Sequence, residues 1–168
     1  LSTTAPAIAK DPLLTLSSSP LGELIKTVNQ DSDNLYGETL LNALQLPPHD
    51  PASWDPYGES IGLSPGEIRL RDGSGLSRQN LVTPQTLVKL LINQSQNPTG
   101  QIYLDSLAVT GRSGTLRQRF LATPLEDKVQ AKTGTLTGVV ALSGYLENES
   151  WGTVVFSFMV NNSNLSAP

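Results

Sequence analysis

The spacing of apolar residues changes from a helical period to a strand period in the C-terminal third of the chain. Before this change, apolar residues recur every three or four positions, which is the spacing of amphipathic helices. The predicted helices lie at about 20–30, from 35 to just before Pro47, from Pro84 onwards, at 100–107 and at 115–121. Alternating residues then predict strands at 129–136, 139–146 and 153–160, the last two joined by a hairpin at 147–150. Helices followed by an antiparallel sheet are typical of an α+β fold.

Capping and turn residues set the predicted ends of these elements. Ser19 is the expected N-cap of the first helix, because Pro20 suits a first helical turn. The stretch 47–80 is rich in Pro, Gly, Ser and Asp, so we expect a loop there, apart from a short strand at 68–70. Another short strand is predicted at 13–16.

Composition and charge narrow the classes of protein that fit this pattern. The 168 residues are 38% hydrophobic, 15% charged and 5% aromatic, which is typical of one folded domain with an aliphatic core. The net charge is −4 and Lys and Arg form no cluster, so we expect no nucleic-acid partner. Apolar stretches are too short to cross a bilayer, and no transmembrane segment is expected in this chain.

The lack of cysteine and the single histidine exclude several chemistries. A thiol nucleophile is impossible, and a zinc site of Cys and His ligands cannot be assembled. His49 lies in a Pro-rich loop, where a histidine is usually solvated surface rather than an oriented base. A hydrolytic mechanism would therefore have to use other groups, and we expect neither a metal nor a cofactor.

Two short motifs carry the candidate chemistry. An S-x-N sequence runs from Ser32 to Asn34 at a junction between two predicted helices, and a K-T-G sequence lies at 132–134 in a predicted strand. Each has an ordinary structural explanation: Ser and Asp are common helix N-caps, and Lys132 could be a surface lysine beside a bulge. However, Gly134 inside a strand also indicates that something approaches the backbone closely there.

The order of the motifs points to a known family. Penicillin-binding proteins and class A β-lactamases use S-x-x-K, then S-x-N, then K-T-G. Four blocks of this sequence are similar to the D-alanyl-D-alanine carboxypeptidase/endopeptidase family, the class C low-molecular-mass penicillin-binding proteins. The blocks are 29–41, 71–80, 111–120 and 131–146. The resemblance covers about 12–162 and implies part of a penicillin-binding/β-lactamase-like transpeptidase domain.

The resemblance also implies a role for each motif residue. In this family a serine attacks peptidoglycan peptides ending in D-Ala-D-Ala and forms an acyl-enzyme, which water hydrolyses. By similarity, Ser32 would relay a proton toward the leaving amine, and Asn34 would bind the substrate amide. Lys132 would attract the terminal carboxylate of the substrate. β-Lactams would acylate the full-length protein, and the location would be periplasmic or otherwise extracytoplasmic.

The residues after Lys132 would bind substrate, again by similarity. The Thr133 hydroxyl would hold the same carboxylate, and Gly134 would let the substrate lie along the strand edge as an added strand. The backbone N–H of Thr135 would be one of two oxyanion-hole donors.

The sequence departs from the family pattern in one respect. No serine stands three positions before a lysine, and the nearest match, Thr86 and Lys89, suits a helix surface. We therefore expect residues 1–168 to be the C-terminal portion of one penicillin-binding domain, without the S-x-x-K segment and the terminal helix. The isolated chain should then be inactive, and exposed sheet faces should favour self-association.

Two other functions remain open at this point. A non-catalytic module on the same fold, binding peptidoglycan or a partner, would explain the missing serine. Intact Ser32, Asn34 and Lys132 argue against it, because a pure binder does not need proton-relay groups. A β-lactamase would share the motifs, but the four family blocks favour the carboxypeptidase.

Overall fold

The computed structural model of the protein describes residues 14–46 and 50–164, which fold into helices and one antiparallel sheet. The α-helices in this part are α1 (Leu21–Asp31), α2 (Asn34–Ala43), α3 (Asp55–Ser60), α4 (Pro84–Gln96) and α5 (Gly100–Ser106). The strands are β1 (Ala108–Val109), β2 (Val129–Leu136), β3 (Val139–Asn148) and β4 (Gly152–Asn161). Short 3-10 helices lie at Pro51–Trp54 and Gly114–Leu116. The α+β fold is confirmed, and none of these helices is long and apolar enough to cross a membrane.

The sheet follows chain order, β1-β2-β3-β4, and every neighbouring pair is antiparallel. The three strands predicted from alternation are confirmed, together with the hairpin between β3 and β4. The two-residue strand β1 was not predicted, and it pairs only with Gln130 and Ala131 of β2. From Lys132 onwards, the outer edge of β2 therefore has no strand partner within the described residues.

Helices cover one face of the sheet. Tyr145 of β3 is buried against Leu91 of α4 and Leu107, and its hydroxyl donates to the Leu91 carbonyl at 2.8 Å. Ala131 of β2 belongs to a second cluster, with Leu116 from the segment between β1 and β2. Because Tyr145 lies opposite Gln130, the neighbour of Ala131, the register places these two clusters on opposite faces.

Side-chain hydrogen bonds to the end of α5 fix the C-terminal end of α1. Asn29 donates through Nδ2 to Ser106 Oγ at 2.7 Å, and Gln30 donates through Nε2 to the Leu107 carbonyl at 3.2 Å. Both bonds join α1 to the end of α5, just before the sheet begins. Since Ser32 follows Gln30 by two residues, these bonds also hold Ser32 close to the start of the sheet.

Two details of the predicted helices are wrong. Pro20, rather than Ser19, is the N-cap of α1; its ψ of 146° is extended, and no side chain caps this helix. The helix predicted at 115–121 is only the 3-10 helix Gly114–Leu116, followed by turns. Phe120 and Ala122 have left-handed φ angles of 60° and 55°, which an α-helix cannot contain.

The prediction of loop throughout 47–80 is also wrong, because it contains Pro51–Trp54 and α3. The Asp50 carboxylate caps the 3-10 helix by accepting the N–H of Ala52. The strand predicted at 68–70 is reduced to one bridge between Arg69 and Leu81. Residues 14–16 of the strand predicted at 13–16 have no regular structure. The remaining residue of that strand, and His49, lie outside the described residues.

Candidate active site

A cleft of about 920 Å³ lies between the junction of α1 and α2, the loop at 71–80 (the rim loop) and the edge of β2. All six site residues predicted from the sequence line it: Ser32, Asn34, Lys132, Thr133, Gly134 and Thr135. The fold therefore brings both motifs to one place, although they lie far apart in the sequence.

A direct hydrogen bond joins the two motifs. Lys132 Nζ donates to Ser32 Oγ at 2.6 Å across a separation of 100 residues, and also to the Thr133 carbonyl at 2.8 Å. Ser32 ends α1 with a left-handed φ of 59°, which costs a residue other than glycine about 1 kcal/mol or more. This unusual backbone conformation directs the chain from α1 into α2 with Ser32 at the cleft.

Within the S-x-N motif, one residue caps α2, and Ser32 and Asn34 are left to line the cleft. The middle residue, Asp33, is the N-cap of α2, and its carboxylate accepts the N–H of Tyr36 at 2.8 Å. Ser32 therefore does not serve as that cap. Asn34 occupies the first position of α2 and lines the cleft.

The charge of Lys132 has no carboxylate partner in the described part of the chain. The ion pairs found there join Arg112 to Asp127 and Lys128 to Glu149, away from the cleft. Burial lowers the pKa of Lys132 below the ordinary lysine value, since burial penalises the charged form. A half-buried ammonium group without an ion-pair partner favours an anion in the cleft, because an incoming negative charge offsets that cost.

Carboxylates hold the rim loop in place. Glu38 of α2 accepts the N–H of Gly73 at 2.8 Å and that of Ser74 at 3.3 Å. Gly37 and Gly73 approach each other so closely that a Cβ on either would collide with the backbone of the other. Two of the family-like blocks, 29–41 and 71–80, are therefore in direct contact through these residues.

Asp72 organises the inside of the rim loop. It accepts the N–H of Gly75 and of Ser77, each at 2.7 Å, and the Asn80 side chain at 3.1 Å. Burial alone would raise the pKa of Asp72, but these hydrogen bonds outweigh burial, so the pKa lies below the ordinary aspartate value.

The edge of β2 is open where it borders the cleft. A Cβ built on Gly134 would lie 3.5 Å from the Ala141 Cβ, which is ordinary van der Waals contact. Gly134 is thus not required by packing within the chain, and its lack of a side chain instead enlarges the cleft. No three Asp, Glu or His side chains of the described residues are grouped so that they could hold a metal ion.

One residue of the cleft was missed by the sequence reasoning. Thr115 accepts a hydrogen bond from the Thr133 hydroxyl at 2.9 Å and lines the cleft. Its position next to Gly114, in a family-like block, was the available signal. A helix was predicted at 115–121, and no role in the site was predicted for Thr115.

Comparison with known proteins identifies the relatives of this chain. A family model described as the D-Ala-D-Ala carboxypeptidase 3 (S13) family matches residues 1–168. The chain is 36% identical over 164 residues to a D-alanyl-D-alanine carboxypeptidase of an Actinomadura species. That match covers 90% of this chain and 30% of the relative.

Solved structures show the same fold. The crystal structure of penicillin binding protein 4 (dacB) from Haemophilus influenzae matches with a TM-score of 0.75 and 28% identity, over 88% of this chain and 35% of that one. A complex of that protein with a novel beta-lactam matches with a TM-score of 0.72 and 28% identity, over 88% and 36%. The TLA-3 extended-spectrum beta-lactamase, at 16% identity and a TM-score of 0.65 over 86% of this chain and 57% of that one, shares the fold alone.

Fold and cleft together place the chain among proteins of the penicillin-binding and β-lactamase-like fold. The chain belongs to the D-Ala-D-Ala carboxypeptidase 3 (S13) family, since the family model matches it from end to end. It spans about a third of the length of the curated relatives, 30% of the Actinomadura enzyme and 32% of the carboxypeptidase DacB of Haemophilus influenzae.

Proposed function

We propose that this chain provides the proton-relay and carboxylate-binding side of a serine D-Ala-D-Ala carboxypeptidase/endopeptidase site that acts on peptidoglycan. The observation that carries the proposal is the 2.6 Å hydrogen bond from Lys132 Nζ to Ser32 Oγ. It joins the S-x-N and K-T-G motifs inside one cleft. A shared surface location without this contact would not support a joint chemical role.

Lys132 and Thr133 form the proposed carboxylate subsite. The ammonium group of Lys132 has no ion-pair partner among the described residues, and Thr133 lines the same cleft. A charge-assisted hydrogen bond is about twice as strong as a neutral one, so a terminal carboxylate is the group this pair would select. Lys132 also donates to Ser32, which lets Ser32 pass its own proton toward a leaving amine.

The open edge of β2 is the proposed seat of the peptide backbone. An extended substrate would add as a strand beside Gly134 and Thr135, where β1 no longer pairs with β2. The N–H of Thr135 would then donate to the oxyanion, a contribution worth about 3 kcal/mol in hydrolases. Asn34, on the opposite wall, would bind the substrate amide.

The nucleophilic serine of this mechanism is proposed to lie outside the 168 residues. No S-x-x-K sequence occurs within them, and the relatives are about three times as long as the matched region. The isolated chain would then be inactive and would form a portion of one penicillin-binding domain. Since the substrate is peptidoglycan, we propose extracytoplasmic action, with β-lactams as acylating inhibitors of the full-length protein.

Release of D-Ala from a peptide ending in D-Ala-D-Ala tests this function in the full-length protein. We expect Ser32→Ala to lower kcat by about 100-fold or more, because a positioned proton-transfer group contributes 10²–10⁴-fold. Ser60→Ala is the matched control, since its hydroxyl bonds to the Tyr57 carbonyl away from the cleft. Full activity of Ser32→Ala would overturn the proposed relay.

A further inference from the structure

Thr115 lies outside both motifs, but it contacts Thr133 of the proposed carboxylate subsite directly. Thr133 Oγ1 donates to Thr115 Oγ1 at 2.9 Å, and both threonines line the cleft. A hydroxyl is at once one donor and an acceptor with two lone pairs. The pair can therefore reverse the direction of its hydrogen bond while the two oxygens keep their separation.

The backbone on both sides of Thr115 is held firmly. Gly114 has a φ of 53°, and a Cβ there would lie 2.5 Å from the Gln30 carbonyl of α1, so only glycine fits. On the other side, Leu116 is completely buried in the core cluster. Ser113 Oγ accepts the N–H of Val109 at 3.1 Å. Thr115 is exposed to the cleft, but its position is fixed by α1, β1 and the core.

We propose that Thr115 is a positioning residue for Thr133 and thereby sets the selectivity of the cleft for a free carboxylate. In the structure, the Thr133 hydroxyl donates a hydrogen bond to Thr115 Oγ1. When a carboxylate binds, the Thr133 hydroxyl donates to the substrate instead, and the Thr115 hydroxyl donates a hydrogen bond to Thr133 Oγ1. The Thr133 oxygen thus keeps its place in both states, and a donor behind it strengthens its hydrogen bond to the anion.

This inference rests on the proposed function, because it assumes that Thr133 meets the substrate carboxylate. It adds to that function a residue that acts only through another side chain. Removing the Thr115 hydroxyl should therefore lower kcat/KM for substrates with a free carboxylate and leave kcat/KM for neutral analogues unchanged. The effect should also disappear when Thr133 has no hydroxyl.

The test compares a peptide ending in D-Ala-D-Ala with the same peptide ending in a carboxamide, using the full-length protein. For Thr115→Val, we expect kcat/KM for the free acid to fall about tenfold, mainly through KM. The carboxamide should be processed as by wild type. Thr115→Ser, which keeps the hydroxyl, should retain wild-type values, and Thr115→Ala should repeat the loss without the bulk of valine.

A double-mutant comparison isolates the contact. In a Thr133→Val background, we expect Thr115→Val to change kcat/KM for the acid by less than about twofold, since the shared hydrogen bond is already gone. Thr39→Val is the control for the substitution itself, because its hydroxyl bonds to the Leu35 carbonyl outside the cleft.

The outcomes separate this inference from the proposed function. Equal losses for acid and carboxamide, an undiminished effect in the Thr133→Val background, or no loss at all in Thr115→Val would each overturn the role of Thr115. Those results count against this inference alone when the wild-type protein prefers the acid to the carboxamide. A wild-type protein that processes neither peptide would overturn the proposed function and this inference together.

Discussion

At the scale of single residues, the site depends on a lysine whose charge is costly in the folded chain. Lys132 is half-buried, bonds to Ser32 and to a carbonyl, and has no carboxylate partner in the described segments. Burial holds the pKa of Lys132 below its usual range. We expect the cost of this buried charge to make the cleft favour an anion, because an incoming negative charge offsets it.

This lysine should give the stability of the protein a pH dependence. Because the folded-state pKa of Lys132 is lowered, the unfolded chain binds more protons between that pKa and about 10.4, so stability rises with pH in this window. Lys132→Met should remove this rise in stability. Urea unfolding of the wild-type protein and of Lys132→Met, from neutral pH to the upper end of the window, measures the free energy of unfolding of each. A difference between the two free energies of unfolding that does not change with pH would contradict this explanation.

The backbone of Gly134 gives a second prediction. A Cβ there contacts Ala141 at an ordinary 3.5 Å, so Gly134→Ala should leave the free energy of unfolding within about 1 kcal/mol of wild type. The added methyl occupies the cleft, and displacement of the substrate should slow acylation of the full-length protein by about 100-fold. Gly58→Ala in α3 is the matched control, since a Cβ there would lie 3.5 Å from the Leu63 side chain, outside the cleft. Normal acylation of Gly134→Ala would show that the substrate does not approach this strand.

At the scale of secondary-structure elements, the rim loop depends on carboxylates rather than on apolar packing. Both oxygens of Asp72 accept hydrogen bonds, from Gly75 and Asn80 on one and from Ser77 on the other. An amide side chain can accept through only one of its two polar atoms. The conformation of this loop should therefore require the ionised form of Asp72.

Asp72→Asn should destabilise the protein by about 1 kcal/mol at neutral pH, a modest value because much of the carboxylate is in water. The pKa of Asp72 is lowered by its hydrogen bonds after the opposing effect of burial, so its stabilisation is complete above about 3.9 and is lost as pH falls through the lower folded-state pKa. Urea unfolding of the wild-type protein and of Asp72→Asn should show a difference in the free energy of unfolding at neutral pH, and this difference should shrink in strong acid. A difference that grows in acid would contradict this role.

The elements that could be predicted are those with a clear period. The three long strands follow from alternation, and α1, α2, α4 and α5 follow from apolar spacing and turn residues. The helix predicted at 115–121 fails because the chain adopts left-handed conformations at Phe120 and Ala122, which apolar spacing does not reveal. Helix α3 was missed because its Pro and Gly residues are typical of loops.

The candidate site was predictable only through its motifs. The contact between Ser32 and Lys132 spans 100 residues, and no local period could bring them together. Thr115 lies in neither motif, and only its place beside Gly114 in a family-like block pointed to it. Its contact with Thr133 depends on where Gly114 and Leu116 hold it against α1 and the core, which neither apolar spacing nor motif order predicts.

At the scale of the whole molecule, one face of the sheet remains partly uncovered in the described residues. Phe158 lies opposite Leu142 and Val160 opposite Val140, on the face that carries the Ala131 cluster. Phe158 is 65% exposed and Val160 is 53% exposed. The outer edge of β4 also has no strand partner within residues 14–46 and 50–164. Open apolar faces and strand edges of this kind favour association.

We therefore expect the 168-residue chain to associate with itself as its concentration rises. Sedimentation velocity over a wide concentration range measures this, and the double variant Phe158→Thr/Val160→Thr should shift the distribution toward monomer. Leu35→Thr is the control, since it removes a 75% exposed apolar side chain from α2 instead. A wild-type chain that stays monomeric at every concentration would contradict the prediction.

In the proposed function, this chain holds the relay and carboxylate-binding groups of a penicillin-binding site, and the nucleophile lies elsewhere in the protein. The most direct test is the intact mass of the 168-residue chain and of the full-length protein after incubation with excess benzylpenicillin. We predict a covalent adduct on the full-length protein alone, at a serine outside these residues. An adduct on the 168-residue chain itself would contradict this function, because a serine of the proposed relay or of the surface would then be the nucleophile.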